Sequence, residues 1–184
     1  MLKKVFGPSD CAKCRLCCNF QRESAWETPF LTDEQAARFE ADGVEIVRRE
    51  RGGASFALRF VDGCDDPANC PFLDPARGCS LSEDLKPFEC KVWPLRTMEK
   101  DGRLVVGRYR NCPALAGEKG AALDRLATEE LLPTLLAFVA ENPASIRPFS
   151  PLYEVCWEGD LPASFNATTS ATTSENNERA DGNG

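Results

Sequence analysis

Residues 11–18 read CAKCRLCC, a stretch that places Cys11, Cys14, Cys17 and Cys18 within one short segment. A gap of two residues between cysteines lets one turn of backbone bring both sulfurs to about 2.3 Å from a single metal ion. Two such gaps that end in a cysteine pair predict a metal site near the amino end of the chain.

The way in which these thiols share a site depends on the local backbone. If the segment is a regular helix, Cys11, Cys14 and Cys18 lie on one face, since successive residues turn by about 100°. Cys17 then lies to one side and is available to a second metal. If the backbone is not a regular helix, Cys17 ligates the same ion as the others.

Composition restricts the chemistry of any such site. The chain of 184 residues contains ten cysteines and no histidine. A metal site must therefore be built from thiolates, with carboxylate or backbone help. Ser-His-Asp triads and His-Glu zinc hydrolase sites are excluded because the imidazole is missing. The length fits one domain with a real hydrophobic core.

Charge and hydropathy bear on location and partners. The first ten residues lack the apolar run of a signal peptide. The richest apolar stretch, residues 131–140, is about half as long as a membrane span. We therefore expect a soluble cytoplasmic protein without membrane contact, in which thiols stay reduced unless a metal binds them. The net charge of -7 and the absence of a basic stripe predict no nucleic-acid partner, whereas a protein partner stays open.

Cysteines farther along the chain are candidates for completing the ligand set. Residues 62–94 are rich in Gly, Pro, Asp and Cys and show little periodicity, and a loop of this length in a compact domain is functional or tethered. The predicted tethers are Cys64, Cys70, Cys79 and Cys90. Cys112 is a further candidate, because Cys112-Pro113, like Cys70-Pro71, repeats a dipeptide found at a cluster ligand in bacterial ferredoxins.

CAKCRLCC, CPFLD at residues 70–74 and CSLSEDLKPFECKVWP at residues 79–94 together resemble the YkgJ-like cysteine-cluster family, which is described as a zinc- or iron-chelating domain. That family has CxxCxxCC, a later cysteine before a Phe-Leu pair, and two more cysteines, the second of them shortly before a Phe-Pro pair. The resemblance covers residues 8–115. It implies metal chelation by Cys11, Cys14, Cys17, Cys18, Cys70, Cys79, Cys90 and Cys112.

The chain departs from the family pattern in places that leave the thiols intact. Leu81-Ser82 and Lys86-Pro87 stand where the family usually has Ile-Tyr and Arg-Pro, and Trp93 stands where Phe is common. These changes affect packing and the geometry of one cation. Cys64 and Cys156 lie outside the pattern, and we expect them to be free, buried or peripheral rather than ligands.

The rest of the sequence predicts an α+β fold. We expect a small cysteine-rich, metal-stabilised domain with short strands and a few helices. Thr32 and Gln35 form a capping-box pattern for a helix that ends at Gly43. Residues 44–49 and 55–61, separated by Gly52-Gly53, read as a hairpin or as two strands of a small sheet. In the second run, Phe56, Leu58 and Phe60 recur at every second position and would form the buried side.

The second half of the chain predicts one more hairpin and a helical segment. Asp101-Gly102 is a turn between strands at residues 91–98 and 103–109. Residues 118–141 are helical, split or kinked at Pro133, with a second helix start near Thr128. We expect residues 1–163 to form the cysteine-cluster metal-binding domain and residues 164–184 a disordered polar tail.

Three functional hypotheses follow from these patterns. The first is a metal-binding protein that chelates zinc or iron and whose folding depends on the metal. The second is an iron-sulfur protein, with a [4Fe-4S] cluster as one option, that acts as a redox enzyme or as an accessory in electron transfer or modification. The third is a partner-binding adaptor stabilised by metal. The identity and number of the metals, the substrate and any enzymatic activity stay open.

Overall fold

A computed structural model describes residues 2, 4–6 and 15–165 of the chain. The fold combines helices and strands, which confirms the α+β prediction, whereas its stabilisation by metal stays a prediction. The strands, in chain order, are β1 Asn19–Phe20, β2 Ile46–Arg48, β3 Ala54–Phe56, β4 Ala68–Asn69, β5 Leu73–Asp74, β6 Gly78–Cys79, β7 Leu95–Lys100, β8 Arg103–Tyr109, β9 Arg147–Pro148 and β10 Tyr153–Asp160. The α-helices are α1 Asp33–Ala41, α2 Phe88–Val92, α3 Lys119–Leu126 and α4 Leu132–Glu141.

The first predicted helix and hairpin are both confirmed. In α1, the Thr32 hydroxyl accepts a hydrogen bond from the Gln35 amide at 3.2 Å, and the Gln35 side chain accepts one from the Thr32 amide. The strands β2 and β3 pair antiparallel around the predicted glycine turn, although both are shorter than the sequence runs. Phe56 is buried in the core, whereas Leu58 and Phe60 are only partly buried.

The largest sheet has the strand order β10-β8-β7-β9. The predicted turn at Asp101-Gly102 does join β7 to β8, which pair antiparallel. The predicted start of β7 at residue 91 is wrong, because Lys91 and Val92 belong to α2. Pro94 explains the boundary: the residue before a proline is driven out of the helical region, and Trp93 has an extended ψ of 132°.

The helical segment at residues 118–141 is confirmed, but its interruption differs from the prediction. Residues Ala127–Leu131 form a π-helical turn that connects α3 directly to α4. Thr128 does not start a new helix, because its hydroxyl donates back to the Asp124 carbonyl at 3.0 Å within the continuing helix. Pro133 lies in the first turn of α4, where its missing N–H leaves no intrahelical bond unmade.

Six of the strands were not predicted: the two-residue strands β1, β4, β5 and β6, and the strands β9 and β10 of the largest sheet. The strand β10 lies along β8, and a bulge at Cys156 shifts the register between Val155 and Trp157. This bulge breaks the alternation that the sequence would otherwise show. The short strand β9 pairs parallel with β7 and carries Arg147 inward. Both strands follow the helices in sequence, so their pairing depends on contacts made only in the folded chain.

Two apolar cores support this architecture. One lies between the sheet and the helices α3 and α4 and includes Leu95, Val106, Leu123 and Leu135. The other packs α1 and the β2–β3 hairpin against the first described cysteines. Phe165 is also buried, so the chain packs on the body through that residue, and residues 166–184 of the predicted tail lie outside the described part. None of the described helices is long and apolar enough to cross a membrane.

Candidate metal centre

The backbone before and after Cys17 and Cys18 is not a regular α-helix. Arg15 has a left-handed conformation, with φ of 52°, and Leu16–Cys18 form one turn of 3-10 helix. A left-handed residue ends any helix that reaches it from the amino side. A regular α-helix through residue 15 is therefore excluded, whereas residues 11–14 of the cysteine segment lie outside the described residues and the sharing of one ion by these thiols stays a prediction.

Strand pairing brings Cys70 beside Cys18. The two-residue strands β1 and β4 are antiparallel, with Asn19 opposite Asn69. The next bond of the ladder joins the Cys70 amide to the Cys18 carbonyl at 2.8 Å. Cysteines that are about fifty positions apart in the chain thus become neighbours across one hydrogen-bonded pair.

A small hairpin brings Cys79 to the same place. The strands β5 and β6 pair antiparallel, with Leu73 opposite Cys79. The carboxylate of Asp74 holds the turn by accepting hydrogen bonds from the amides of Ala76 and Arg77 at 2.8 and 2.9 Å. These backbone hydrogen bonds lower the pKa of Asp74, and the one from the Arg77 amide has the largest effect. The turn therefore favours an ionised carboxylate.

Four thiols meet around Cys18, and we call Cys17, Cys18, Cys70 and Cys79 the thiol cluster. The Sγ atoms of Cys17 and Cys18 are 3.8 Å apart. Cys18 also interacts with the side chains of Cys70 and Cys79. Interaction with Cys18 lowers the pKa of Cys17 and Cys70 and lowers that of Cys79 to about 6, whereas the same contacts raise the pKa of Cys18. Three of these four thiols are thereby shifted towards the thiolate, the form that binds metal.

The surroundings of the thiol cluster are apolar on its inner side. Cys18 and Cys70 are buried and pack in one core with aromatic side chains, whereas Cys79 is exposed. The rings of Phe39, Phe56 and Phe72 lie 5.1 to 5.2 Å from one another in that core. Aromatic side chains therefore shield Cys18 and Cys70 from water, whereas the thiol of Cys79 is exposed.

Cys90 lies next to the thiol cluster on helix α2. Burial raises the pKa of its thiol, and the charges of Cys17 and Cys70 raise it further. Those two influences place Cys90 within electrostatic reach of the cluster. Of the four predicted tethers, Cys70, Cys79 and Cys90 thus lie near Cys17 and Cys18, and their role as metal ligands stays a prediction. Cys64 is partly buried, and its sulfur accepts a hydrogen bond from the Asp66 amide at 3.4 Å.

Cys112 is close to Cys17. Both cysteines line a small apolar pocket together with Phe6 and Trp93. Cys112 is buried and belongs to the core between the sheet and the helices. Cys17 is thus the residue that the two groups of thiols have in common.

Two of the predicted ligands, Cys11 and Cys14, lie outside the described residues. Cys156, which we expected to be peripheral, donates a hydrogen bond to the Val106 carbonyl at 3.1 Å within the sheet. Burial raises the pKa of Cys156 to about 11, so this thiol stays protonated near neutral pH.

The described cysteine and carboxylate side chains do not form a complete metal site. Among residues 2, 4–6 and 15–165, no three Cys, Asp or Glu side chains are placed as ligands of one metal ion. The thiols are therefore neighbours in the described part of the chain without forming a finished coordination shell there. No disulfide joins Cys17, Cys18, Cys70 or Cys79.

Behind the thiols lies a buried ionic network that sequence reasoning missed. It consists of Glu27, Glu89, Arg96, Arg147 and Tyr153, all of which are buried. Arg96 bonds to the Glu27 carbonyl at 2.7 Å and lies 3.2 Å from the Glu89 carboxylate. The Tyr153 hydroxyl donates to Glu27 at 2.6 Å. The sequence does contain a hint of this network, because Glu89 and Arg96 lie within the largely apolar stretch FECKVWPLRTM at residues 88–98.

Comparisons of this chain with models of known protein families, with curated proteins and with solved structures found no significant match. The resemblance to the YkgJ-like cysteine-cluster family stays a prediction from its motifs. The thiols and their surroundings therefore carry the functional proposal.

Proposed function

We propose that this chain is a metal-binding protein that holds zinc or iron through its thiol cluster. The observation that carries the proposal is the meeting of four cysteine side chains from three separate segments around Cys18. Reduced cysteines gathered from distant parts of a chain are typical of metal sites in proteins that lack disulfides. Cys90 and Cys112 extend the proposed ligand set, and Cys11 and Cys14 complete it by sequence.

The spacing of Cys17 and Cys18 suits two ligands of one four-coordinate ion. Two sulfurs that each lie about 2.3 Å from a tetrahedral zinc are roughly 3.8 Å apart. The Sγ atoms of Cys17 and Cys18 have that separation, 3.8 Å. Tetrahedral all-sulfur ligation suits zinc or iron. Since no third ligand of the same ion is in place among the described residues, the proposal requires the other sulfurs to move closer when the ion binds.

The position of Cys17 bears on the number of metals. It contacts Cys18 in the thiol cluster and shares a pocket with Cys112. Eight thiolates in the proposed set are enough for two tetrahedral ions, and a shared sulfur is one way to place them side by side. The proposal therefore includes a second ion on the Cys112 side.

The proposed role of the metal is structural. Residues 68–90 contain only two-residue strands and one short helix, and isolated pieces of this size are marginal in water. A metal that bridges Cys18, Cys70 and Cys79 would fix these segments to each other. Metal binding is then coupled to folding of this region. We place the protein in the cytoplasm, where thiols stay reduced and available to the metal.

The proposal is tested by the metal content of matched cysteine variants. Protein purified without oxygen is analysed for zinc and iron as wild type, as Cys70→Ser and as the control Cys64→Ser. Both substitutions fall in the same loop region, but only Cys70 belongs to the thiol cluster. We expect Cys70→Ser to lose at least one equivalent of metal and Cys64→Ser to keep the wild-type amount. Wild-type protein without stoichiometric metal, or equal metal in both variants, would reject the proposal.

A second candidate is an iron-sulfur protein, and the aromatic core beside the thiol cluster favours it. Burial of a cluster against Phe39, Phe56 and Phe72 excludes water from one side, and such burial is one factor that sets the reduction potential of an iron-sulfur centre. The chain would then act as a redox enzyme or as an electron-transfer or modification accessory. Visible absorbance and acid-labile sulfide in anaerobically purified protein distinguish this candidate. Colourless protein with bound zinc would exclude it.

A further inference from the structure

Arg96 is a guanidinium enclosed in the interior of the protein. Its side chain is only 3% exposed. The Nη2 group donates to the Glu27 carbonyl at 2.7 Å, and Nε lies 3.5 Å from the Glu27 carboxylate. The Nη1 group is 3.2 Å from the Glu89 carboxylate but has no partner in hydrogen-bonding geometry. One buried donor of a permanent cation is therefore unused by the described protein groups.

Arg96 also lies close to residues that neighbour the proposed metal ligands. The Glu89 carboxylate, 3.2 Å from its Nη1 atom, belongs to the residue next to Cys90 in helix α2. The guanidinium lies 5.0 Å from the centre of the Trp93 ring, and Trp93 lines the pocket that contains Cys17. The cation thus contacts both the ionic network and the immediate neighbours of Cys17 and Cys90.

Helix α2 connects the same groups through three consecutive residues. Phe88 stacks on Phe138 of helix α4 with ring centres 4.1 Å apart. Glu89 accepts a hydrogen bond from the Phe30 amide at 2.5 Å and contacts Arg96. Cys90 lies beside the thiol cluster. The Glu89–Arg96 contact therefore involves the same short helix that carries Cys90.

A buried all-thiolate site has an electrostatic requirement of its own. A divalent ion with four thiolate ligands carries excess negative charge, and a buried net charge is costly unless an opposite charge or hydrogen-bond donors compensate it. Groups that orient and hydrogen-bond the ligands of a metal commonly change its affinity. Arg96 supplies the cation, the unused donor and the contact to the helix of Cys90.

We propose that Arg96 is a positioning residue of the metal centre, which compensates the charge of the metal-bound thiolates and holds Cys90 in place through Glu89. This inference rests on the proposed function. Arg147 is its natural comparison, because it also lies 3.2 Å from the same Glu89 oxygen and is also buried. Arg96 follows helix α2 by four residues, whereas Arg147 belongs to strand β9 and donates to the Thr28 carbonyl at 2.9 Å.

The test compares two matched double variants with cobalt(II) as the probe. Glu89→Gln combined with Arg96→Gln, and Glu89→Gln combined with Arg147→Gln, each remove the shared carboxylate and one arginine. Glutamine at position 89 spares either variant an unpaired buried charge at that residue. Cobalt affinity is measured by competition with a chelator, from the sulfur-to-cobalt charge-transfer absorbance, and folding is followed by urea unfolding.

We expect the Arg96 double variant to bind cobalt about 10- to 100-fold more weakly than the Arg147 double variant, at similar losses of folding stability. Because both double variants lack Glu89, equal affinities would overturn the charge compensation by Arg96 while leaving the metal-binding proposal intact. The contact through Glu89 is tested by comparing Arg96→Lys with Arg147→Lys, which both keep Glu89. A larger loss of affinity in Arg96→Lys supports the inference, and equal affinities overturn it. Wild-type protein that takes up no cobalt would overturn the proposed function itself.

Discussion

The cysteine-bearing region and the sheet body of this protein are built in different ways. We take the cysteine-bearing region as residues 15–20 and 68–90, where the paired strands are two residues long. The sheet body is β7 to β10 with α3 and α4, where the three main strands are six to eight residues long. Its inward side chains, such as Leu95 and Val105, are fully buried.

This difference shows where the protein needs help to fold. The sheet body buries many apolar side chains, whose removal from water offsets the cost of ordering its backbone. The cysteine-bearing region has few ladder hydrogen bonds to offset the conformational entropy of a long loop. A metal that bridges its thiols would supply the missing stabilisation of this region. The contrast between the two regions can be tested directly.

Removal of metal should have the largest effect, and it should fall on one region. We expect a chelator to abolish hydrogen-exchange protection at the Cys70 amide, which bonds to the Cys18 carbonyl. Amides of β8, such as that of Val105, should keep most of their protection. Exchange measured residue by residue by NMR checks this result. Equal loss of protection in both regions would contradict the contrast drawn here.

A cavity in the sheet body should lower stability without removing metal. Leu95 is fully buried among Val106, Leu123 and Leu135, so we expect Leu95→Ala to cost about 2–5 kcal/mol of unfolding free energy. Urea unfolding gives the loss, and metal analysis of the folded variant should give the wild-type content. A variant that folds but lacks metal would show that the two regions depend on each other.

The ionic network joins the two regions, and Tyr153→Phe tests its strength. The Tyr153 hydroxyl donates to the buried Glu27 carboxylate at 2.6 Å, and loss of a hydrogen bond to a charged group costs about 1.5–3 kcal/mol. Tyr109→Phe is the control, since that residue packs against Tyr153 with ring centres 5.4 Å apart. We expect the control to change stability by less than about 0.5 kcal/mol. Equal losses would assign the effect to ring packing.

The smallest expected effect is a change in pH dependence. Burial raises the pKa of Glu27 above its ordinary value of 4.5, and Arg96 and Tyr153 offset this only in part. The folded state therefore holds a proton that the unfolded state releases, so this residue's contribution to stability is lost as pH rises from about 4.5 through the raised pKa. Glu27→Gln should remove that decline, a change of at most about 1.4 kcal/mol per pH unit. Unfolding curves from pH 4 to 8 measure it, and an unchanged slope would contradict the assignment.

Several elements could be predicted because their signals are local. The capping box at Thr32 and Gln35 and the turn at Asp101-Gly102 are fixed by residues within a few positions of one another. The strands β9 and β10 could not be predicted in this way. The bulge at Cys156 disturbs the alternation of β10, and β9 is too short to carry a pattern.

The sequence by itself determined the chemistry of the candidate site: cysteines without histidine, spaced so that thiolates can share an ion. Only the tertiary structure decided which of them meet. Cys18 and Cys70 are joined by the register of two short strands, whereas Cys64, also predicted as a tether, is partly buried and accepts a hydrogen bond from the Asp66 amide. Arg96 became visible only in the fold, because burial and opposing charges depend on segments far apart in the chain. Spacing along a chain limits which ligands are available, whereas long-range packing selects those that are close in space.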